Sequence, residues 1–434
     1  MRICMFTNTY LPHVGGVARS VSILSQDLDR MGHEILIVAP HFPGEKTGSA
    51  QENVLRVPAI QNFNGSDFSV RIPLPFALSE RIDLFRPEVI HSHHPFLLGD
   101  TALRTARQRN LPLVFTHHTL YEEYTHYVPF DSKTMKRFVI NLSTQYANLC
   151  NRVIAPSRSI ARLIASRGVR TPIQEIPTGV DLDFFAQGVG ERLRRELGIP
   201  ADWTVIGHLG RLAPEKNLIY LARAVGGFLQ HNEQAAFLVV GEGPSREEIR
   251  RVLSGLKVAD RVYFVGKKSG DDLRDAYKAM DLFAFTSQSE TQGLVLMEAM
   301  ASGVPVIALD ASGSREVVSD GSNGRLLEQD APESGLTAAL LEAGRNRSLL
   351  HSWSRQALET AKQFSRIRCA ELMASLYDSV SRLEPAWKRP SEEFISWDTL
   401  LRALKAEWDL LSKNTSAVFS AVKQERKKED EGQG

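Results

Sequence analysis

Short apolar runs alternate along this chain with segments whose apolar positions recur every three or four residues. Residues 2–8 (RICMFTN) read as a buried strand, followed by a glycine-containing loop and a helix from about Ala18 to Met31. Residues 34–39 (EILIVA) form the next predicted strand, and runs at 88–92, 112–116 and 152–156 repeat the scheme. Strands that are apolar throughout and separated by helical patterns belong to a parallel sheet covered on both faces. That is a doubly wound α/β domain, whose ligands sit beyond the carboxyl ends of its strands.

The second half repeats the pattern. Predicted strands are 204–209, 236–240, 262–265, 282–285 and 305–308, with helices such as 215–229 and 271–279 between them. The segment 177–190 (PTGVDLDFFAQGVG) is punctuated by glycine and proline and is the expected hinge. Two Rossmann-like domains, residues 1–182 and 183–365, are then expected to face each other across a cleft. A helix over about 366–385 is expected to return to the first domain. Residues 386–434 form a tail. Its stretch 392–423 places Trp397, Leu400, Leu401, Leu404, Trp408 and Leu411 at helical spacing, and a highly charged, disordered end is expected after it.

Composition narrows the class. With 434 residues, 43% hydrophobic and 24% charged, the chain can bury an ordinary core without disulfides or metals. Cys4, Cys150 and Cys369 are too few and too scattered for a disulfide framework or a zinc site, which suits a reducing compartment. A net charge of +1 argues against a dedicated nucleic-acid binder. That figure is a cancellation of +5 over residues 1–178 against −4 over the remainder, and nine of the twelve histidines lie in the first part. The N-terminus lacks a signal-peptide pattern, and no apolar run approaches the ~18 residues of a membrane span. The expected location is cytoplasmic, with any membrane contact peripheral and on the inner face.

The richest chemistry lies in SETQGLVLMEAMASGVPVIA, residues 289–308. Glu290 falls in the loop after a strand, and Glu298 about two turns into the helix that begins near Gly293. Carboxylates there suit the paired hydroxyls of a sugar, and the intervening helix N-terminus offers backbone donors. Two glutamates alone equally suit a capping acid and a solvated helix face. GRLAPEKN (210–217) adds Arg211 and Lys216 at another strand end, where cations can neutralise a diphosphate. Glycines in VGEGP (240–244), Gly241 among them, and Gly15 and Gly16 in GGV permit close approach of a ligand, although each also suits a tight turn.

HSHHPF (91–96) and THHTLYEEYTHYVP (116–129) each end a strand at the cleft. Adjacent histidines on extended chain point to opposite sides, and no cysteine or carboxylate completes a zinc set, so sugar or acceptor contacts are expected rather than metal. Asp181 and Asp183 form a D-x-D string, discounted as a metal site because it lies in the hinge. No G-x-S-x-G or H-E-x-x-H is present, which disfavours serine hydrolase and metalloprotease chemistry.

Taken together, the GGV loop, TGVD (178–181), GRLAPEKN, VGEGP and E-x7-E followed by ASGVPVIA resemble the retaining family 4 glycosyltransferases of GT-B fold, over roughly residues 1–385. HSHHPFLLG, THHTLYEEYTHYVP and SETQG look like the branch of 1,2-diacylglycerol 3-glucosyltransferases. The resemblance implies transfer of glucose from UDP-glucose to the 3-hydroxyl of diacylglycerol, with no cofactor and no metal. An acceptor that is soluble or a polysaccharide is the alternative. Glu298 is implied to bind the donor ribose. Glu290 is implied to contact the hexose, with the amides of Thr291, Gln292, Gly293 and Leu294 close by. Arg211 and Lys216 would hold the diphosphate, with Gly15, Gly16 and Gly241 packing near the donor. His118 matches the histidine near the reacting sugar. His94, His117, Tyr121, Glu122, Tyr124 and Tyr127 would shape the acceptor side. The GGVARS segment departs from the diacylglycerol enzymes, and the tail has no counterpart in them.

A lipid acceptor gives the basic first half a reading. Arg104, Arg107 and Arg109 cluster in one helical region, and Lys133, Lys136 and Arg137 in another beside Met135, Phe138 and Val139. Such faces attract anionic membrane surfaces, and they also occur as ordinary solvated helices.

Overall fold

The computed structural model describes residues 1–12, 15–41, 53–60, 70–71, 75–122, 133–388 and 399. Two parallel sheets carry the chain. The first comprises β1 (Arg2–Phe6), β2 (Glu34–Pro40), β3 (Val54–Val57), β4 (Val89–Ser92), β5 (Leu113–Thr116), β6 (Arg152–Ala155) and β7 (Ile173–Glu175), in the order β3-β2-β1-β4-β5-β6-β7. The second comprises β8 (Thr204–Leu209), β9 (Ala235–Val240), β10 (Val262–Phe264), β11 (Leu282–Phe285), β12 (Val306–Leu309) and β13 (Gly324–Leu327), in the order β10-β9-β8-β11-β12-β13. A two-stranded antiparallel pair, Ala59–Ile60 with Val70–Arg71, lies outside both.

The central strands are buried on both faces, as their uninterrupted apolar runs require. Each sheet therefore separates two apolar layers. In the first domain one layer gathers Phe6, Phe115 and Tyr146, and the other gathers Ile3, Met5 and Val114. The second layer is completed from far along the chain. Helix α6 (Arg366–Ser381) crosses back and adds Met373, Leu376, Tyr377 and Val380 to it, packing beside α1 (Gly16–Arg30). Between β5 and β7 stand α3 (Lys133–Asn148) and β6, and α2 (Leu98–Arg109) precedes β5.

The two crossings between the domains run side by side. The Val180 N–H donates to the Phe364 carbonyl at 2.7 Å, and the Arg366 N–H to the Val180 carbonyl at 3.1 Å. Arg366 ties this crossing together through Asp27 of α1 at 2.7 Å and Asp181 at 3.0 Å. Asp181 also caps the short helix Leu182–Ala186, so the D-x-D string performs structural work here. No helix among the described residues is long and apolar enough to cross a membrane.

The first basic cluster is partly paired within the protein. On α2, Arg104 pairs with Asp100 at 2.9 Å, and Arg109 reaches Asp83 at 2.8 Å and is mostly buried. Of the three α2 cations expected at a membrane face, Arg104 and Arg109 thus have carboxylate partners. On α3, Lys133 and Arg137 are exposed. The side chain of Met135 and the tail from 389 onward, apart from residue 399, lie outside the described residues.

Candidate active site

In each sheet the strand order reverses beside the domain's first strand, between β1 and β4 and between β8 and β11. Loops leaving the carboxyl ends of strands at such a point form a crevice. In the second domain these loops carry GRLAPEKN, after β8, and SETQG, after β11.

Glu290 lies in the loop before α5 (Leu294–Ala301). Gly293 caps that helix in the left-handed region, φ 71°, and Gly313 (φ 90°) lies beneath the loop. A Cβ on Gly313 would fall 2.8 Å from the Cβ of Glu290, so only glycine lets the loop sit there. Lys216 ends a short 3-10 turn, Pro214–Lys216, and its Nζ forms an ion pair with Glu290 Oε1. Thr286 secures the turn by donating to the Asn217 carbonyl at 3.1 Å. Arg211 pairs with Glu215. Gly241 fits the junction of β8 and β9, where a Cβ would meet the Gly210 carbonyl oxygen at 1.9 Å.

Glu298 lies deeper, its side chain 5% exposed. Its Oε2 accepts from the Tyr277 hydroxyl at 2.8 Å, and its Oε1 pairs with Arg19 of α1 at 2.5 Å. Burial pushes its carboxyl up, and Arg19 and the Tyr277 hydroxyl oppose that rise. A cavity of about 220 Å³ borders this pair, lined also by Leu294, Phe184, Asp181 and Arg366. Arg19 and Tyr277 were not among the residues expected here. Tyr277 reads in sequence as a core aromatic, and Arg19 as the solvated face of an amphipathic helix. The one available signal was Arg19's position in the first turn after GGV.

The first domain contributes the histidines. Gly15 and Gly16 open α1, with Gly15 in extended conformation as its cap. His118 Nε2 lies 2.9 Å from His93 Nδ1, so one ring donates and the other accepts. His93 in turn lies against His91 at 4.0 Å between centroids, the rings tilted by 39°. His91 is held by the Tyr377 hydroxyl of α6 at 2.6 Å and by Thr116 Oγ1 at 2.7 Å. His94 faces away and accepts from the Asn8 N–H at 3.1 Å. Burial drives these rings toward the neutral form: His91 and His94 fall to about 3, and His93 and His118 fall well below the ordinary imidazole value. For His118, the neighbouring His94, His91 and His117 add to that shift.

His117 turns to the opposite side from His118. It packs edge-on against Tyr121 at 5.6 Å, and burial, then Arg167, lowers it to about 4. Arg167 pairs with the buried Glu122. Tyr124 and Tyr127 lie outside the described residues. In the second domain, His208 is a further buried imidazole that sequence reading passed over. Its Nδ1 donates to the Ala284 carbonyl at 3.3 Å, and its Nε2 lies beside Gly210. A histidine within an apolar strand gives no sequence signal that separates it from a core residue.

The two halves touch. Thr291 Oγ1 donates to the His118 carbonyl at 2.8 Å, and Ser157 Oγ to the Thr291 carbonyl at 2.7 Å. Glu290, Lys216, Thr291, Gln292 and His118 thus meet where the domains face each other, with Glu298 and Arg19 to one side. Residues 14–184 match the protein family described as Glycosyltransferase Family 4, and residues 189–360 match Glycosyl transferases group 1. The chain belongs to this glycosyltransferase family.

The glycosyltransferase is 31% identical to an alpha-monoglucosyldiacylglycerol synthase of Streptococcus pneumoniae over 79% of this chain and 78% of that protein. It is 30% identical to a GDP-mannose-dependent alpha-mannosyltransferase of Mycolicibacterium smegmatis over 78% of this chain and 88% of that protein. Its fold matches Anabaena HepE, solved in complex with UDP-glucose, with TM-score 0.70 at 22% identity over 87% of this chain and all of that one. The architecture is GT-B, and the enzyme is a nucleotide-sugar-dependent hexosyltransferase.

Proposed function

We propose that this glycosyltransferase moves glucose from UDP-glucose to the 3-hydroxyl of 1,2-diacylglycerol, with retention of the α configuration. The observation that carries the reading is the Lys216–Glu290 ion pair set beside the His118 loop. A cation and a carboxylate meeting at two strand ends suit a sugar diphosphate, whose leaving group needs positive charge and whose hexose offers hydroxyls. The diacylglycerol acceptor is supported by the similarity to the pneumococcal synthase.

The barrier is cleavage of the anomeric C–O bond, with positive charge growing on the sugar and negative charge on the departing UDP. Lys216 and Arg211, fixed on one rigid loop, stabilise the leaving diphosphate without reorganisation. Glu290 accepts hydroxyls of the hexose, and Glu298 those of the ribose. The departing phosphate oxygen takes the acceptor proton, so attack and departure occur on one face. His118, held neutral by burial, offers a hydrogen bond at the reacting end rather than a charge. A covalent adduct trapped on Glu290 would instead establish double displacement. The exposed cations of α3 give the enzyme its contact with the lipid surface that holds the acceptor.

The deciding experiment offers UDP-glucose, UDP-galactose, UDP-N-acetylglucosamine and GDP-mannose separately, with and without dispersed 1,2-diacylglycerol. A glucolipid formed from UDP-glucose is the expected product. Turnover of GDP-mannose alone would overturn the donor assignment and align the enzyme with its mannosyltransferase relatives. UDP-glucose consumption that diacylglycerol does not stimulate would overturn the acceptor.

A further inference from the structure

Two polar side chains of the SETQG loop point away from the donor roles that their backbone amides would fill. Thr291 Oγ1 donates to the carbonyl of His118, across 173 residues of sequence, at 2.8 Å. Gln292, buried, pairs both ends of its amide with the backbone of one residue: the Thr178 N–H donates to its Oε1 at 2.9 Å, and its Nε2 donates to the Thr178 carbonyl at 2.9 Å. Thr178 lies in the segment that joins the domains, and its hydroxyl is 2.7 Å from that of Ser20 on α1. Ser157 closes the set by donating to the Thr291 carbonyl at 2.7 Å.

The chemistry at these positions is selective. Only an amide side chain offers the donor and the acceptor that the Thr178 backbone N–H and carbonyl need; a carboxylate would lose one bond and an aliphatic chain both. Thr291 likewise needs a hydroxyl, since its partner is a carbonyl. Both residues follow Glu290 directly, so their partners in the first domain fix where that carboxylate stands. The loop is therefore referenced to the His118 peptide as well as to its own sheet.

We propose that Thr291 and Gln292 are positioning residues that clasp the donor-side loop to the acceptor domain and set the spacing between Glu290 and His118. This rests on the active site proposed above. Reactions between two held substrates are steep in geometry, and a displacement of about 1 Å costs on the order of 100-fold in rate. A clasp made by the loop that meets the sugar also seals the reacting bond from water, which would otherwise compete with the acceptor.

The test compares Thr291→Val, Thr291→Ser, Gln292→Met and Gln292→Glu in the full-length enzyme. UDP-glucose and dispersed 1,2-diacylglycerol are the substrates, and UDP affinity is measured by calorimetry. Thr291→Val and Gln292→Met are expected to lower kcat about tenfold or more, to raise the ratio of donor hydrolysis to transfer, and to leave the UDP Kd within about twofold. Thr291→Ser is expected to restore kcat to within about twofold of the parent, and Gln292→Glu, left with one of the two bonds, to lower kcat as well. Undiminished kcat in Thr291→Val, equal loss in Thr291→Ser, or a UDP Kd that weakens in step with kcat would overturn the proposal.

Hydrogen exchange of the same variants reads the clasp without turnover, so a failure of the proposed substrates cannot be confused with a failure of the clasp. The Thr178 amide is expected to exchange about tenfold faster in Gln292→Met, and the segment around His118 faster in Thr291→Val. Unchanged exchange at both would overturn the clasp even in an active enzyme. Should Gln292→Met fail to fold, the two Thr291 variants decide the matter.

Discussion

Arg19 of the first domain and Glu298 of the second meet at 2.5 Å across the interdomain cleft, with Tyr277 holding the other carboxylate oxygen. Glu298 is the proposed ribose ligand, and burial pushes its carboxyl up while Arg19 pulls it down. Replacing Arg19 by Met removes that opposition. The carboxyl then ionises only at higher pH, and the folded state bears the cost wherever it is ionised. Below both values the group is protonated in parent and variant alike, and the difference vanishes. The Tm gap between parent and Arg19→Met is therefore expected to widen as pH rises from about 5 to 8. A gap independent of pH would show that Arg19 does not govern this carboxyl.

Lys216 and Glu290, ion-paired with each other, are proposed to meet different halves of the donor, the diphosphate and the hexose. Lys216→Ala is expected to weaken UDP binding and to lower kcat by about 100-fold or more, because the leaving diphosphate loses a fixed charge. Glu290→Gln keeps the shape of the side chain, changes the proposed hexose contact, and is expected to lower kcat by a similar factor while UDP binds nearly as before. Calorimetry with UDP alone, set beside steady-state kinetics, checks the split. If Glu290→Gln weakened UDP as much as Lys216→Ala, the hexose role of Glu290 would be wrong.

His118 is buried against His93, and burial keeps both rings neutral. The kcat profile is accordingly expected to be free of any imidazole inflection between about pH 5.5 and 7.5. His93→Phe removes the hydrogen bond that orients His118 and is expected to lower kcat about tenfold, again without a new inflection. A bell-shaped profile centred near neutrality, lost in His118→Gln, would give His118 a proton-transfer role instead.

Much of the fold was legible because strands buried on both faces spell themselves as apolar runs. TVIGHL and LFAF match β8 and β11 residue for residue. The strands that escaped notice are at or next to the sheet edges: VLRV, IQE and GRLL are short and carry polar residues, as edge positions allow. The loops bearing Glu290 and Lys216 were also visible, since glycine punctuation after a strand marks where ligands approach. What sequence could not supply was partnership. The Arg19–Glu298 pair, the Tyr377–His91 bond and the Gln292–Thr178 amide pair join residues more than a hundred positions apart, and no local periodicity encodes them. Arg109 shows the converse: an arginine that looks free in one dimension meets Asp83 in three.

That pairing sharpens the expectation for membrane contact. If basic sequence alone drew the enzyme to lipid, α2 and α3 would contribute alike. Arg104 and Arg109 already face carboxylates, so an anionic headgroup gains little from them. Lys133 and Arg137 stand exposed on α3, with the partly exposed Lys136 between them. Each cation near an anionic surface contributes about 1 kcal/mol, so neutralising all three to Gln is expected to weaken binding to vesicles rich in anionic lipid about 100-fold. Arg104→Gln with Arg109→Gln is expected to change it by less than about threefold, although Arg109→Gln lowers stability because the mostly buried guanidinium bonds Asp83 and Ser79. Binding should also fall with added salt, because the contact is electrostatic. Flotation with neutral and anionic vesicles measures both comparisons. Equal recovery of the parent on the two vesicle types would refute electrostatic docking, and an α2 effect as large as that of α3 would refute its assignment to α3.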